Sequence, residues 1–393
     1  MLNQAVFLVG GLGTRLKELT RLTPKPLVQV AGRPFIDYLI DEAARHGFSD
    51  IVLLAGYLGA QFEARYDGLH RHGARVRVLT EPEPLGTGGA LRFALPQLED
   101  CFLLANGDSF FDINLRALRA PPVGGATVAL RATAPGERFG TVSLADGRVR
   151  SFQSAGGGHA APINAGVYVL ERGIVAAVPP GKVSLEQDLF PRLAAAGLIL
   201  GDMFDGFFID MGVPDDLALA QREMAGRTTR PAVFFDRDGV LNVDGGYVHR
   251  PEQWRWMPGA REAIRLCNDR GWLVFVITNQ AGVAHGYYDE AAVVALHDWV
   301  ASELAVAGAH VDAFEYCPHH PGGRIDAYRR SCRRRKPDPG MIEDLLAHWR
   351  VDTSRSWLLG DKESDLEAGR AAGLEAVHYG GGSVVQAVRG RLR

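Results

Sequence analysis

The sequence predicts an α/β protein of two domains, and three observations carry that prediction. Strand-sized apolar runs alternate with helix-like segments along the whole chain: "AVFLVG", "DIVLLAG", "RVRVLTE" and "CFLLANGD", then "AVFFDRDG", "WLVFVITN" and "SWLLGD". Such alternation calls for parallel sheets covered by helices on both faces. The helix-like segments "FIDYLIDEAARHG" and "GAREAIRLCNDRG" each close on glycine, as a helix C-terminus does. Finally, the polar stretch "REMAGRTTRP" breaks the pattern just before a fresh βα series. The boundary therefore falls near residue 228, giving domains at 1–227 and 228–393.

Composition narrows the class. At 393 residues the chain is long enough for two full cores, and 47% hydrophobic with 23% charged residues is ordinary for a globular protein. A net charge of −3 gives no general attraction to nucleic acid or anionic membrane, so neither is expected as a partner. Runs such as "WLVFVIT" are far too short to span a bilayer. The first apolar run reaches glycine within a few residues, unlike a signal peptide. Four cysteines in so long a chain make no disulfide framework, so a reducing cytoplasm is the expected compartment. Cys101 and Cys267 fall in apolar patterns and read as small core residues.

In the second half, "AVFFDRDG" ends a strand on Asp236 and Asp238, two residues that address the same side. Gly239 allows a sharp turn after them. Ligands of open α/β sheets collect at carboxyl ends of strands. Three more such ends carry polar groups: Thr278 and Asn279, then Arg335 and Lys336 before a Pro-rich turn, then Asp361 with Asp365 one helical turn on. Gathered at one rim, this set suits phosphoryl transfer to a carboxylate. Asp236 is the expected nucleophile and Asp238 the acid and base. Thr278, Arg335 and Lys336 would hold phosphoryl oxygens, and Mg²⁺ on Asp236 and Asp361 would relieve the repulsion between acids and phosphate.

The ordered set resembles the haloacid dehalogenase superfamily of phosphatases, which implies a parallel sheet for this half. Within it, "FFDRDGVLNVDGGYVHRPEQW", "ITNQAGVAHGYYDE", "YCPHHP", "RKPDPGM" and "LLGDKESD" are similar to the heptose bisphosphate and histidinol-phosphate phosphatases, the former more closely, over about residues 231 to 380. The resemblance implies substrate contacts from Asp244, Gly245, Gly246, Tyr247, Thr278, Asn279, Gln280 and Ala281. It also places Asp238 and Lys362 with Asp236 and Asp361 around the Mg²⁺. Relatives carry a loop Zn²⁺ on a Cys-x-His and a Cys-x-Cys pair. Here Cys317, His319 and Cys332 supply three ligands, but Arg334 stands at the fourth position and has no lone pair to give. A hydrogen-bonded, metal-free loop is the expectation. The basic run "RRSCRRRK" can be read as a nucleic-acid patch or a solvated face; beside a phosphatase site it is expected to attract anionic substrate, with its outermost arginines solvated.

The first half opens on "LVGGLGTRLKELTRLTPKPL", which is neither the dinucleotide fingerprint nor a Walker loop. Backbone N–H groups from Gly10, Gly11, Gly13 and Thr14 can cradle phosphates, with Arg15 and Lys25 neutralising charge as pyrophosphate leaves. Asp108 after "FLLANG" and Asp210 after "GFFI" read together as a second Mg²⁺ site. These elements resemble the sugar-1-phosphate nucleotidyltransferases over residues 1 to about 222, as do "EPEPLGTGGAL", "INAGVYVL" and "SLEQDLFP", with a leaning towards enzymes of heptose or mannose 1-phosphates. The resemblance implies a Rossmann-like sheet. It sets Gly86, Thr87 and Gly88 near the base, and Asn164 and Glu186 on the sugar. One departure is "VRSFQSAGGG", where Gln153 and Ser154 replace a Glu-Lys pair found in many relatives; Arg150 and His159 are the candidates to compensate.

Together the two resemblances imply a bifunctional enzyme. One half removes the 7-phosphate of heptose 1,7-bisphosphate; the other joins the resulting heptose 1-phosphate to a nucleoside triphosphate, GTP by resemblance. The residues leave rival readings open. One is a histidinol-phosphate or other phosphomonoester phosphatase fused to a transferase for an unrelated sugar. Another is a phosphatase governed by a non-catalytic sugar-nucleotide sensor. Oligomeric state, anomer and base are not legible in the sequence.

Overall fold

The computed structural model describes residues 2–11, 20–132, 140–153 and 161–392. The chain forms two compact units, Met1–Gly226 and Arg227–Arg393. Among the described residues no helix is long and apolar enough to cross a membrane.

The first unit is built on a mixed sheet of ten strands among the described residues. Its centre is parallel, with Cys101–Asn106, Gln4–Leu8, Asp50–Ala55 and Ala74–Thr80 side by side in that order. Alternate residues of the Gln4–Leu8 strand feed two cores: Ala5 and Phe7 on one face, Val6 on the other. That is why the strand reads as an unbroken apolar run. The sheet is not wholly parallel, however. Pro162–Glu171 runs antiparallel to both Cys101–Asn106 and Ala126–Ala132, and Thr141–Ala145 forms a hairpin with Arg148–Gln153. The hairpin turns on Asp146 and Gly147, both at positive φ (53° and 68°). Such a two-residue Asp-Gly turn matches the twist of antiparallel strands, a local signal that a purely βα reading passes over.

The second unit carries five parallel strands in the order Ala313–Cys317, Leu273–Asn279, Ala232–Asp236, Trp357–Gly360 and Glu375–His378. Val233 and Phe235 enter one core, Ala232 and Phe234 the other, so the central strand is buried from end to end. The helices Phe35–Arg45 in the first unit and Ala260–Asp269 in the second are followed by Gly47 and Gly271, at φ 80° and 72°. Cys267 is buried, Cys101 is half-buried, and all four cysteines are free thiols.

Candidate active sites

In the second unit the central strand ends on Asp236, in register with Ile277 of the neighbouring strand. Lys336 reaches into this rim. Its Nζ donates to Asp236 Oδ1 (2.5 Å) and to the Ile277 carbonyl (3.0 Å), and lies 2.8 Å from Asp365 Oδ1. Burial pushes the Asp236 carboxyl above its ordinary range, by more than the Lys336 charge draws it back. Burial also works against the Lys336 ammonium, but Asp236 and Asp365 together hold it above its ordinary value. Lys336 is anchored by Asn279, whose side-chain amide donates to the Lys336 carbonyl (3.0 Å) and accepts from its N–H (3.1 Å).

Asp238 belongs to a second network. The fully buried Arg237 comes within 2.9 Å of its carboxylate, Asn242 Nδ2 donates to Oδ1 (3.0 Å), and Gln280 Nε2 donates to Oδ2 (3.1 Å). Thr278 Oγ1 lies 3.4 Å from the same oxygen and receives a 2.8 Å bond from Gln280, which in turn accepts from the Tyr288 hydroxyl. Arg237 also donates to the Val248 carbonyl (2.7 Å) and faces His297 Nε2 at 3.4 Å. Burial, helped by Arg237, pushes His297 down to about 3, so a neutral imidazole accepts from the guanidinium.

The residues fit a divalent cation on this unit's own terms. One oxygen each from Asp236, Asp361 and Asp365 lies within 4.8 Å of the others. Asp361 Oδ1 is buried with no hydrogen-bond partner, an expensive state for a carboxylate oxygen unless a cation completes it. Gly239, at φ 102°, makes room for Asp361: a Cβ there would fall 2.3 Å from Asp361 Oδ2. The Asp238 side chain is not in this set, because Arg237 and the amides take its oxygens. The Lys362 side chain offers no ligand atom either. Although burial works against its charge, Asp244 (3.0 Å) and Asp361 hold it protonated, so it has no lone pair for an ion.

A cavity of about 240 Å³ opens over these groups, bordered by Asp236, Asp238, Asp244, Gly246, Tyr247, Thr278, Asn279, Gln280, Ala281, Lys336 and Lys362. Gly245 sits in the same exposed turn as Gly246. Arg335 does not border the cavity; it donates instead to the His319 carbonyl (3.1 Å).

The ligand atoms of Cys317, His319 and Cys332 also lie within 4.8 Å of one another. Arg334 takes no part. It pairs with Glu315 and, at 3.3 Å, with Asp344, so it pins the loop through charge where a fourth ligand would pin it through metal. Burial pushes the Cys317 thiol up to about 11, and His319 Nε2 is occupied by Arg330 at 2.7 Å.

In the first unit the Cys101–Asn106 strand runs into Gly107, where a Cβ would meet Val9 Cγ1 at 2.6 Å and the Leu8 carbonyl at 2.8 Å. Asp108 follows. Ser109–Phe111 pairs antiparallel with Phe208–Asp210, setting Ser109 opposite Asp210 and so bringing two distant acids together. Lys25 Nζ stands between them, 2.6 Å from Asp108 and 3.6 Å from Asp210. Two carboxylates converging on one ammonium mark a place built for positive charge. Glu186 accepts from Thr87 and Ser184, each at 3.0 Å, and Asn164 donates to the Tyr168 hydroxyl at 2.8 Å. Tyr168 is raised above its ordinary value by burial, then by Glu186 and Asp108.

The glycines divide. Gly86 (φ 72°) and Gly88 are needed for packing: a Cβ on Gly86 would meet the Val183 carbonyl at 2.6 Å, and the Gly88 N–H already donates to that carbonyl (2.8 Å). Gly10 packs on Gly56, and both leave room for Glu81, since a Cβ on Gly56 would strike Glu81 Oε1 at 2.4 Å. Burial raises the Glu81 carboxyl, while Leu85 N–H donates to it at 3.2 Å. Gly11 is exposed. Gly13, Thr14, Arg15, Ser154 and His159 lie outside the described residues, and Arg150 faces Asp146 at 3.5 Å.

Sequence reasoning missed Glu81, Tyr168, Arg237 and His297, and gave Asp365 and Gln280 lesser parts. Glu81 directly follows the Ala74–Thr80 strand, so the strand-end rule that found Asp108 would also have found it. His297 lies within the Glu290–Val306 helix, where nothing local marks it.

Comparison with known proteins agrees with both halves. Residues 4–226 match the nucleotidyl transferase family, and residues 333–388 the HAD-hydrolase-like family. A D-glycero-beta-D-manno-heptose-1,7-bisphosphate 7-phosphatase of Rhodopseudomonas palustris is 50% identical over 157 residues, covering 40% of this chain and 87% of that protein. The Escherichia coli K12 protein of the same name is 39% identical over 144 residues, covering 37% and 75%. The crystal structure of HddC from Yersinia pseudotuberculosis complexed with GMP-PN is 28% identical with a TM-score of 0.50, covering 57% of this chain and 100% of that one.

Proposed function

Because this chain belongs to the nucleotidyl transferase family through residues 4–226, and to the D-glycero-beta-D-manno-heptose-1,7-bisphosphate 7-phosphatase family through its C-terminal part, we propose that it makes a nucleotide-activated heptose in two steps. The C-terminal unit removes the 7-phosphate of D-glycero-beta-D-manno-heptose 1,7-bisphosphate. The N-terminal unit joins the remaining heptose 1-phosphate to GTP and releases pyrophosphate. The first product is the second substrate, which gives the fusion its chemical reason. The observation that carries the reading is the pair of cation-ready acid clusters, Asp236 with Asp361 and Asp365, and Asp108 with Asp210.

In the phosphatase step an Asp236 oxygen attacks phosphorus, forming an aspartyl phosphate as the bond from phosphorus to the sugar oxygen breaks. Lys336, held on Oδ1, opposes the effect of burial on Asp236 and meets the charge gathering on the phosphoryl oxygens, together with Thr278. Asp238, carrying the proton left on it by the preceding turnover, turns out of the Arg237 network and gives that proton to the departing sugar oxygen. It then takes a proton from the water that hydrolyses the acyl phosphate, restoring Asp236. Mg²⁺ held by Asp236, Asp361 and Asp365 would supply charge neutralisation between carboxylates and phosphate. Cys317, His319 and Cys332 offer an ion three ligands, and no step depends on that cluster.

In the transfer step the sugar phosphate oxygen attacks the α-phosphorus of GTP, and pyrophosphate leaves in line. Asp108 and Asp210 would hold Mg²⁺, with Lys25 moving onto the phosphates. Gly10 and Gly11 lie under the triphosphate, while Asn164 and Glu186 hold the sugar. Glu81, beside Gly10 and Gly56, supports guanine as the base: an ionised carboxylate only accepts, so it would suit the adjacent N1–H and amino donors of guanine and repel the N1 lone pair of adenine. The test is phosphate release from the bisphosphate and pyrophosphate release from GTP with heptose 1-phosphate, on one preparation. Asp236→Asn should abolish the first and spare the second; Asp108→Ala should do the reverse. Wild-type protein that releases no pyrophosphate with any nucleotide would refute the transferase assignment.

A further inference from the structure

One buried imidazole near the phosphatase centre takes no part in the bond-making steps. His297 lies on the Glu290–Val306 helix, 5% exposed, beside Leu296, Val300 and Leu304 of the apolar core. An imidazole in such a place loses its hydration and needs a partner to offset the loss. Its ring is fixed by the Ala313–Cys317 strand: it stacks on Phe314 (4.7 Å between centroids, 18° between planes) and meets Tyr316 closer to edge-on (6.1 Å, 67°). In that orientation Nε2 faces Arg237 Nη1 at 3.4 Å. A guanidinium only donates, so Nε2 is the acceptor and the ring is neutral, the state that burial also favours.

Arg237 passes this order on to Asp238. Its Nε donates to Asp238 Oδ2 and its Nη2 to Oδ1, both at 3.1 Å, a forked pair between consecutive residues. Nη2 also donates to the Val248 carbonyl (2.7 Å), and the guanidinium lies 6.0 Å over the Trp254 ring. His297 holds the remaining arm of the fork, Nη1. Without that acceptor the guanidinium is freer to rotate, and the carboxylate paired with it loses its fixed bearing on the cavity it borders. We propose that His297 is a positioning residue for the phosphatase reaction: through Arg237 it fixes the place from which Asp238 turns to the departing sugar oxygen and to which it returns. The inference rests on the phosphatase reading above and deepens it. His297 does not line the cavity, so its effect reaches the reacting atoms only through Arg237 and Asp238.

The test uses the full chain with Mg²⁺ and without nucleotide, and compares kcat/KM for two esters. Heptose 1,7-bisphosphate has to release a sugar alkoxide, a poor leaving group that needs the Asp238 proton. 4-Nitrophenyl phosphate releases a stable phenolate, which departs unprotonated. Both esters use Asp236, Lys336 and Mg²⁺. The readout is the ratio of the two values, bisphosphate over aryl ester, which a smaller folded fraction or a general loss of geometry does not move. In His297→Leu, which has bulk but no acceptor, the ratio should fall about ten- to a hundred-fold, through kcat rather than KM for the bisphosphate. His297→Gln carries an amide oxygen that can accept from Arg237 and should keep a larger share of the ratio. A wild-type ratio in the leucine variant overturns the proposal, and so do equal ratios in the two variants, since the acceptor would then be irrelevant. Wild-type protein that hydrolyses neither ester, or an Asp236→Asn variant that hydrolyses both, would instead overturn the phosphatase reading underneath it.

Discussion

Gly239 and Gly246 offer a clean test of how the phosphatase site is held open. Both have positive φ, 102° and 76°, so an alanine at either position pays the left-handed penalty of about 1–2 kcal/mol. Only at Gly239 does the new Cβ also collide, 2.3 Å from Asp361 Oδ2 and 2.6 Å from its Cγ, whereas at Gly246 nothing lies within 4 Å. The collision adds roughly 1–3 kcal/mol of overpacking. Gly239→Ala should therefore cost about 2–5 kcal/mol and Gly246→Ala about 1–2. All six tryptophans lie in the second unit, so urea unfolding followed by tryptophan emission reports on that unit alone. Displacing Asp361 has a second consequence. The Mg²⁺ concentration for half-maximal phosphate release should rise about tenfold in Gly239→Ala, the equivalent of about 1.4 kcal/mol of cation binding. Equal unfolding penalties in the two variants, with unchanged Mg²⁺ dependence, would refute the claim that glycine is required to seat Asp361.

Three further predictions follow from charge. His297 sits at about 3 when folded against about 6.5 free, so stability is full above pH 6.5 and falls as acid protonates only the unfolded chain. Between pH 6.5 and 5 the second unit should lose about 2 kcal/mol from this group, and His297→Gln should flatten that part of the urea-midpoint profile. Glu81→Gln replaces an acceptor-only group with a mixed one; the ratio of kcat/KM for GTP over ATP should fall about ten- to a hundred-fold in a pyrophosphate-release assay. Arg334→Cys exchanges an ion-paired guanidinium for a fourth thiolate beside Cys317, His319 and Cys332. Elemental analysis after exhaustive dialysis should show zinc retained near one per chain in the variant and less in the parent.

Much of this protein is legible one-dimensionally because the signals are local. The apolar run before Asp236 is buried on both faces, so it has to read as unbroken hydrophobicity. Helix ends at Gly47 and Gly271 announce themselves because only glycine takes that backbone turn without strain. Strand ends announce the candidate acids, since chemistry gathers where parallel strands finish. Even the Asp146-Gly147 hairpin was local, and was overlooked only through the assumption of unbroken βα alternation.

What remained was decided by distances between segments remote in the chain. Antiparallel pairing of Ser109–Phe111 with Phe208–Asp210 sets Asp108 near Asp210, and no feature of either segment alone encodes that register. Lys336 is turned inward onto Asp236 and Asp365 while the adjacent Arg335 is turned outward to His319; neighbours of like charge part because each follows a different partner. Asp238 and Arg237 are consecutive, yet what orients them comes from Asn242, Gln280 and His297. Sequence by itself determined which residue types stand at strand ends, because periodicity and turn chemistry act over a few residues. Tertiary structure alone decided which of them face one another, because electrostatic and hydrogen-bonding energies depend on separation in space and not on separation along the chain.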